Sequence, residues 1–243
     1  MNSVFPAIVD WNLLAYDPPG WGGALLLGLL NTLQIAVGGY ALGLLLGVCG
    51  AAGKLYGSPV IKDLLAVYTT IVRGIPELVL LLILYYAGTQ LLSTIMLKLG
   101  YGSVDVSGLV AGIIVIGLVQ GAYATEVIRG AILAIAPGQI EAGRAFGMSP
   151  VKVMHRITLP AMLPFAIPGL SNLWLIATKD TALLAVVGFT ELTLVTRQAA
   201  GTTKAYMLFF LTAGAIYLGI TLLSTASLRV LERHFKRGFP ETR

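Results

Sequence analysis

Residues that could do chemistry are few in this chain, because only 11% of its 243 residues are charged. They interrupt long apolar runs at three places, namely 73–77, 137–160 and 179–191. Ionisable groups next to membrane-like apolar runs are costly, so they usually face protein or a cavity. These three segments are therefore the candidate functional regions.

The polar segment 137–160 has the pattern of two short helices joined by a tight turn, and we call it the elbow. We expect the first helix to begin after Gly138, with Glu141 in its first turn, where a carboxylate favours the positive end of the helix dipole. Gly147 can end this helix, because glycine adopts a left-handed cap at little cost. The segment therefore predicts a docking surface.

The second helix of the elbow has clear start and stop signals. Ser149 is typical of an N-cap and Pro150 of a first helical position. Leu159-Pro160 is expected to end this helix before the next apolar run. The predicted apolar side comprises Val151, Met154 and Ile157, and the predicted polar side comprises Lys152, His155 and Arg156.

The segment 73–77 contains a charged step that is prone to kink. Pro76 removes a helix hydrogen bond and Gly74 adds backbone freedom. Arg73 and Glu77 are four residues apart, a spacing that allows an ion pair on one helix face. Two interpretations stay open: a bent helix start with a snorkelling arginine, and a hinge or gate that lets the following helix swing.

The segment 179–191 separates a long apolar run from one of about ten residues, which is too short to cross a bilayer. A broken or re-entrant element is expected here, ending at Glu191. Irregular backbone in a membrane must be buried in protein or line a wet cavity. Asp180, Thr181 and Glu191 are therefore candidates for a substrate pathway, with a solvated loop as the alternative.

Apolar residues make up 57% of the chain, which indicates a membrane protein with several spans. We predict one all-α transmembrane domain over residues 1–243, with five helices near 22–53, 64–92, 107–130, 158–179 and 204–228. Rows of small residues, such as Gly39, Gly43 and Gly47, predict close helix packing within the chain.

Basic residues orient the predicted spans, because cytoplasmic loops carry an excess of lysine and arginine. The N-terminal tail has none, whereas the elbow region and the C-terminal tail are rich in them. The basic residues of the tail are Arg229, Arg233, Lys236, Arg237 and Arg243. The N-terminus is therefore predicted outside, with the elbow and the C-terminus in the cytoplasm.

Three classes of function compete at this point. A membrane subunit that docks on a cytosolic motor needs a partner surface, which the elbow supplies. An ion-coupled transporter is disfavoured because five spans show no obvious internal repeat. A DNA-binding protein is disfavoured because the elbow has room for two helices but not for the third. A catalytic constellation, metal-ligand spacing and a phosphate-binding loop are not found in the sequence.

The elbow resembles the EAA-x3-G-x9-I-x-L-P signature of permease subunits of binding-protein-dependent ABC importers. The matching residues are Glu141-Ala142-Gly143, Gly147, Ile157 and Leu159-Pro160, with Gly143 in place of the second alanine. The stretches RGIPELV, AYATEVIRGAI and PGQIEA are similar to the polar amino acid branch of that family. Within it the chain is most similar to Q-type permeases of histidine or lysine/arginine/ornithine uptake, and then to opine permeases. The resemblance covers the chain from about Gly22 to the tail.

The resemblance implies a type I importer permease fold in a bacterial inner membrane. It implies a second homologous permease chain, two ATP-binding subunits that hold the ATP and Mg²⁺, and a periplasmic solute-binding protein. Contact with nucleic acid is not implied, nor is a cofactor in this chain. The cargo would be a polar, cationic amino acid, with an opine or another amino acid as the alternative. The residues implied in ATPase coupling are Glu141, Ala142, Gly143, Gly147, Ser149, Pro150, Lys152, Val153, His155, Arg156 and Pro160.

Overall fold

The computed structural model describes residues 10–100 and 107–235, and the regular structure in these ranges is helical. The elements are α1 (Gly22–Tyr56), α2 (Pro59–Gly74), α3 (Glu77–Lys98), α4 (Gly108–Leu133), α5 (Pro137–Ala145), α6 (Pro150–Val153), α7 (Leu159–Asp180), α8 (Leu192–Thr203) and α9 (Tyr206–Phe235). A short 3-10 helix, Trp11–Leu14, precedes them. The last three basic residues of the predicted cytoplasmic tail, Lys236, Arg237 and Arg243, lie outside the described residues.

Five stretches within the described ranges are long and apolar enough to cross a membrane, which confirms the predicted all-α fold. They are Gly22–Tyr56, Glu77–Lys98, Gly108–Leu133, Pro150–Val187 and Tyr206–Phe235. Many large apolar side chains on these helices are exposed, as expected for surfaces that face lipid.

The centre of the fold is the pair formed by α1 and α4, which approach closely along the predicted row of small residues. A Cβ atom at Gly43 would lie 2.7 Å from the Gln120 Cβ, and one at Gly39 would lie 2.7 Å from the Ile116 Cγ2. Since real Cβ atoms do not approach this closely, only glycine allows the two helix backbones to meet here. The prediction that these glycines pack helices within the chain is confirmed.

The predicted second span, 64–92, is divided in the structure. Helix α2 ends at Gly74, Ile75 and Pro76 are extended, and α3 begins at Glu77. Proline disfavours the helical conformation in the residue before it, which explains why α2 stops. The predicted Arg73–Glu77 ion pair is therefore wrong, because the two residues belong to different helices. Among the described residues, the ion pairs involve neither of them.

The elbow continues into the fourth span without a stop at Pro160. Helix α6 passes into a π-helical turn, Met154–Thr158, and then directly into α7. A proline inside a helix lacks an N–H group and crowds the carbonyl one turn earlier. A π-turn is one way to relieve this conflict while the helix continues. The prediction that Leu159-Pro160 ends the second elbow helix is therefore wrong.

A change of helix type marks the predicted break near 179–181. Helix α7 ends at Asp180, a 3-10 helix covers Thr181–Val187, and Gly188 turns the chain with a φ of 80°. Helix α8 then begins after Glu191, and its residues Leu192, Ala199 and Ala200 are buried. Twelve residues are too few to cross a bilayer, so α8 is packed in the protein.

Candidate functional site

The turn of the elbow is held by a complete Schellman motif. The Met148 N–H donates to the Gly143 carbonyl at 3.1 Å, and the Gly147 N–H donates to the Arg144 carbonyl at 2.9 Å. Gly147 has a φ of 73°, the left-handed conformation predicted for it. This motif fixes the angle between α5 and the helix that follows.

The second elbow helix begins as the sequence predicts. The Ser149 side chain accepts a hydrogen bond from the Lys152 N–H at 3.4 Å, and Pro150 is the first helical residue. The position predicted for Glu141 is wrong, because α5 begins at Pro137 and Glu141 falls in its second turn. Its carboxylate is thus farther from the helix N-terminus than expected.

Exposure divides the predicted coupling residues into two groups. Gly143 and Val153 are buried inside the elbow, where a Cβ at residue 143 would meet the Ile157 side chain. Glycine at this position therefore makes room for Ile157. The predicted apolar side of α6 is partly wrong, since Val151 is 67% exposed and Val153 takes the inward position. The exposed members are Glu141, Ala142, Gly147, Ser149, Pro150, Lys152, His155, Arg156 and Pro160.

The exposed elbow surface includes a large aromatic side chain that the sequence analysis did not assign to coupling. Phe146 is 86% exposed beside Gly147. A cavity of about 640 Å³ also lies between the elbow and the ends of α1 and α4, lined by residues such as Tyr56, Leu133 and Val151. The arrangement provides an apolar surface rimmed by basic side chains, which is typical of a protein interface.

A second candidate site lies where α3, α4 and α7 meet. The Gln120 Nε2 donates to the Asp180 Oδ2 at 3.2 Å, and the Glu77 carboxyl faces the Asp180 carboxyl. Two carboxyl groups at one point favour a cation between them or a shared proton. We call Glu77, Gln120 and Asp180 the acidic cluster.

Gln120 is only 1% exposed, and its Oε1 atom has no hydrogen-bond partner. A buried acceptor without a donor is destabilising, so such a group in a native structure is an exception that needs an explanation. Gln120 therefore presents an unused acceptor beside two carboxyl groups. A ligand that carries several N–H donors would satisfy all three.

Arg73 approaches the acidic cluster from the end of α2. Its guanidinium carbon lies 5.8 Å from the ring centre of Tyr123, one turn along α4 from Gln120. Together with the break at Pro76, this position brings the predicted hinge segment and Asp180 into one region. The prediction that Asp180 belongs to a solvated loop is not supported, because Asp180 is half-buried.

Thr181 and Glu191 are fully buried, so the solvated-loop alternative is wrong for both. The Thr181 hydroxyl donates to the Thr178 carbonyl at 2.8 Å. Glu191 caps α8 by accepting hydrogen bonds at 2.8 Å from the N–H groups of Thr193 and Leu194. The Tyr217 hydroxyl donates to the same carboxyl group at 3.1 Å. Burial raises the pKa of the Glu191 carboxyl although these hydrogen bonds lower it. The contacts indicate a structural role for Glu191.

Sequence reasoning missed Gln120, Tyr123 and Tyr217, which contact the predicted residues from other helices. A single amide within a membrane-length apolar run is a usable signal, because such groups are expensive in lipid. Gln120 was therefore detectable from the sequence, although its contact with Asp180 was not. In the part of the chain that the structure describes, no group of three or more His, Cys, Asp or Glu residues could hold a metal ion.

Residues 39–237 match a family described as binding-protein-dependent transport system inner membrane component. The chain is 38% identical over 219 residues to the histidine/lysine/arginine/ornithine transport system permease protein HisQ of Escherichia coli, covering 90% of this chain and 96% of that protein. It is 38% identical over 227 residues to the octopine transport system permease protein OccQ of Rhizobium radiobacter, covering 93% of this chain and 96% of that protein.

Solved structures agree with this relationship. A structure described as an amino acid ABC transporter with histidines superposes with a TM-score of 0.78 and 27% identity, covering 93% of this chain and 99% of that one. An inward-facing structure of the MetNI methionine transporter superposes with a TM-score of 0.74 at 20% identity, covering 91% of this chain and 100% of that one. The second likeness concerns the fold alone.

Proposed function

Because the chain belongs to the family of inner membrane components of binding-protein-dependent transport systems, we propose that it forms the pathway of an importer for polar, cationic amino acids. The chain is the translocation component of an ABC transporter and not its ATPase. Separate subunits would bind ATP and Mg²⁺, and a solute-binding protein would deliver the cargo. The observation that carries the substrate class is the acidic cluster, with its unused acceptor on Gln120.

The chemistry of the acidic cluster suits a guanidinium or ammonium group. Asp180 and Glu77 supply carboxyl oxygens, and Gln120 supplies a neutral oxygen that lacks a donor. A guanidinium group carries five N–H donors in a planar fork, so it can satisfy several acceptors at once. Thr181 follows Asp180 at the same break in the fourth span and belongs to the proposed pathway.

Opines are the second candidate class of cargo. The octopine permease of Rhizobium radiobacter is as similar to this chain as the histidine/lysine/arginine/ornithine permease of Escherichia coli, at 38% identity each. A nopaline transport system permease of Agrobacterium fabrum is 39% identical. The acidic cluster would accept any cargo that presents a cationic side chain. It therefore does not distinguish amino acids from opines, and other parts of the cargo would have to be recognised elsewhere.

The elbow is proposed as the site that docks on the ATP-binding subunit. Its turn is fixed by hydrogen bonds, and its exposed side chains include Glu141, Phe146, Lys152 and Arg156. A rigid elbow can transmit movement only if the ATPase binds it differently in the two states of the transporter. The α2–α3 break is proposed as the hinge that responds, and it comprises Arg73, Gly74, Ile75, Pro76 and Glu77.

The complete importer is proposed to contain a second homologous permease chain and to lie in the bacterial inner membrane. The N-terminus would lie outside, and the elbow and C-terminus would lie in the cytoplasm, following the distribution of basic residues. The exposed apolar surface of α3, with residues such as Ile83 and Leu91, would be shared between lipid and the second chain.

Purification of this chain from its native membrane in mild detergent would test the assembly. We expect a protein with a phosphate-binding loop and a second permease to purify with it. The complex, reconstituted into liposomes with its binding protein, should import radiolabelled arginine or lysine only when ATP is present inside. Uptake by the chain alone under an ion gradient would overturn the proposal in favour of a secondary transporter.

A further inference from the structure

A cavity of about 430 Å³ lies between the ends of α1, α2 and α4, apart from the acidic cluster and the elbow. The charged residues that line it are Lys54, Arg73, Glu126 and Arg129, and the hydroxyl groups come from Thr69 and Thr70. We call it the basic cavity. Sequence reasoning identified only the spacing of Glu126 and Arg129 on α4. Lys54, on α1, lies 72 positions before Glu126 in the sequence and contacts it in the cavity.

Glu126 neutralises part of the positive charge. Its Oε2 accepts hydrogen bonds from the Arg129 Nε at 3.1 Å and Nη2 at 2.8 Å, and its Oε1 pairs with the Lys54 ammonium. Three positive charges and one negative charge leave an excess of two in the cavity. Arg73 forms no ion pair with any described residue. The cavity therefore has unused capacity for an anion.

The position of the cavity relates it to the acidic cluster. Gln120 and Glu126 lie on the same helix, six residues apart at about 1.5 Å per residue, which gives about 9 Å along the axis. Tyr123 lies between them, and Arg73 stacks over its ring. A cationic amino acid carries its two charged ends at a comparable separation. The basic cavity also lies at the ends of α1 and α4, apolar helices that are long enough to span a membrane, and basic pockets between such helices can bind lipid headgroups.

We propose that the basic cavity is an oxyanion site whose ligand is held by Arg73 together with Lys54 and Arg129. The oxyanion is either the carboxylate of the transported amino acid or the phosphate of an anionic lipid. The carboxylate source rests on the function proposed above, whereas the lipid source does not. Arg73→Gln is the informative variant, because it leaves the Lys54–Glu126–Arg129 ion pairs intact. Arg73→Lys keeps the charge, and Lys62→Gln removes an exposed lysine of α2 outside the cavity.

The lipid source is tested by native mass spectrometry of the purified complex after exchange into mixed phosphatidylcholine and phosphatidylglycerol. If lipid phosphate is the ligand, Arg73→Gln should lower the amount of retained phosphatidylglycerol about fivefold. Arg73→Lys and Lys62→Gln should retain it at the level of the unmodified complex.

The carboxylate source is tested in nanodiscs that contain only phosphatidylcholine. Binding of radiolabelled arginine is compared with binding of agmatine, the same molecule without its carboxylate. If the substrate carboxylate is the ligand, Arg73→Gln should weaken arginine binding about tenfold and leave agmatine binding unchanged.

Either selective loss supports the oxyanion site and identifies its source. The proposal is overturned if Arg73→Gln changes neither phosphatidylglycerol retention nor the ratio of arginine to agmatine binding. Failure of the unmodified complex to bind either amine would count against the proposed substrate class. In that case the phosphatidylglycerol measurement alone decides whether the oxyanion site exists.

Discussion

The elbow and the acidic cluster are built in opposite ways. The elbow consists of 24 consecutive residues, and its turn is held by backbone hydrogen bonds between residues three to five positions apart, such as Met148 and Gly143. The acidic cluster brings together three helices, and its central hydrogen bond joins Gln120 to Asp180 across 60 positions. One region is thus specified locally and the other by tertiary packing.

This difference corresponds to the two proposed tasks. A surface that transmits force to a partner benefits from a shape that does not depend on the rest of the bundle. A site in the pathway must change between states, so its parts belong on separate helices that can move apart. The glycine row of α1 supports the acidic cluster, because it lets α4 approach closely enough to position Gln120.

The largest effect is expected from Gly43→Leu, which should disrupt the whole bundle. A side chain at this position would meet the Gln120 Cβ at 2.7 Å and the Gly121 backbone at 3.2 Å. Overpacking against backbone should destabilise the protein by more than about 3 kcal/mol. Size-exclusion chromatography should show loss of monodisperse protein. Gly219→Leu is the matched control, because a Cβ there meets no atom within 4 Å.

Gly147→Val should break the elbow while the bundle stays folded. The φ of 73° is unfavourable for a β-branched residue, so the Schellman turn should open. We expect amino acid uptake to fall to background while the complex still hydrolyses ATP. Gly147→Asn is the control, since asparagine tolerates the left-handed conformation. Equal uptake by the valine and asparagine variants would mean that the angle of the turn does not matter.

Asp180→Asn should alter selectivity and leave coupling intact. Removing the charge while keeping the amide contact to Gln120 should weaken uptake of a cationic amino acid about 30-fold, the equivalent of about 2 kcal/mol. Competition between radiolabelled arginine and unlabelled neutral amino acids measures the change. Lys179→Gln, at the exposed neighbouring residue, is the control. An equal loss of uptake for every substrate would indicate a structural role for Asp180.

Ser149→Ala should have the smallest effect of the four. Loss of the N-cap hydrogen bond to the Lys152 N–H should destabilise the start of α6 by about 1 kcal/mol. Since α6 continues into α7, most of the elbow should persist, and we expect uptake to fall by less than about fivefold. Ser149→Asp restores a cap and should restore uptake. A complete loss in the alanine variant alone would show that the serine hydroxyl contacts the ATPase.

The sequence predicts the elbow well where the signals are local. The left-handed turn at Gly147 and the cap at Ser149 follow from the properties of single residues, and both are present. The stop expected at Pro160 is wrong, because the π-helical turn Met154–Thr158 precedes it and allows the helix to continue. The inward position of Val153 was also missed, since it depends on contact with α5.

The acidic cluster could be predicted only in part. The cost of a charge in an apolar run identifies Asp180, and proline chemistry identifies the break before Glu77. Their meeting point depends on how α3, α4 and α7 pack, which no pattern within a single helix specifies. The expected Arg73–Glu77 pair is wrong for a local reason, because the break at Pro76 places the two residues on different helices.

The most direct test measures ATP hydrolysis and amino acid uptake together in proteoliposomes that contain the complete importer. Gly147→Val should abolish uptake of every cargo while ATP hydrolysis continues. Asp180→Asn should reduce uptake of cationic cargo only. For neutral cargo, the Asp180→Asn variant should keep the same ratio of transport to hydrolysis as the unmodified importer. The account would be contradicted if both variants lost transport of all cargo in the same proportion, because the two regions would then perform one task.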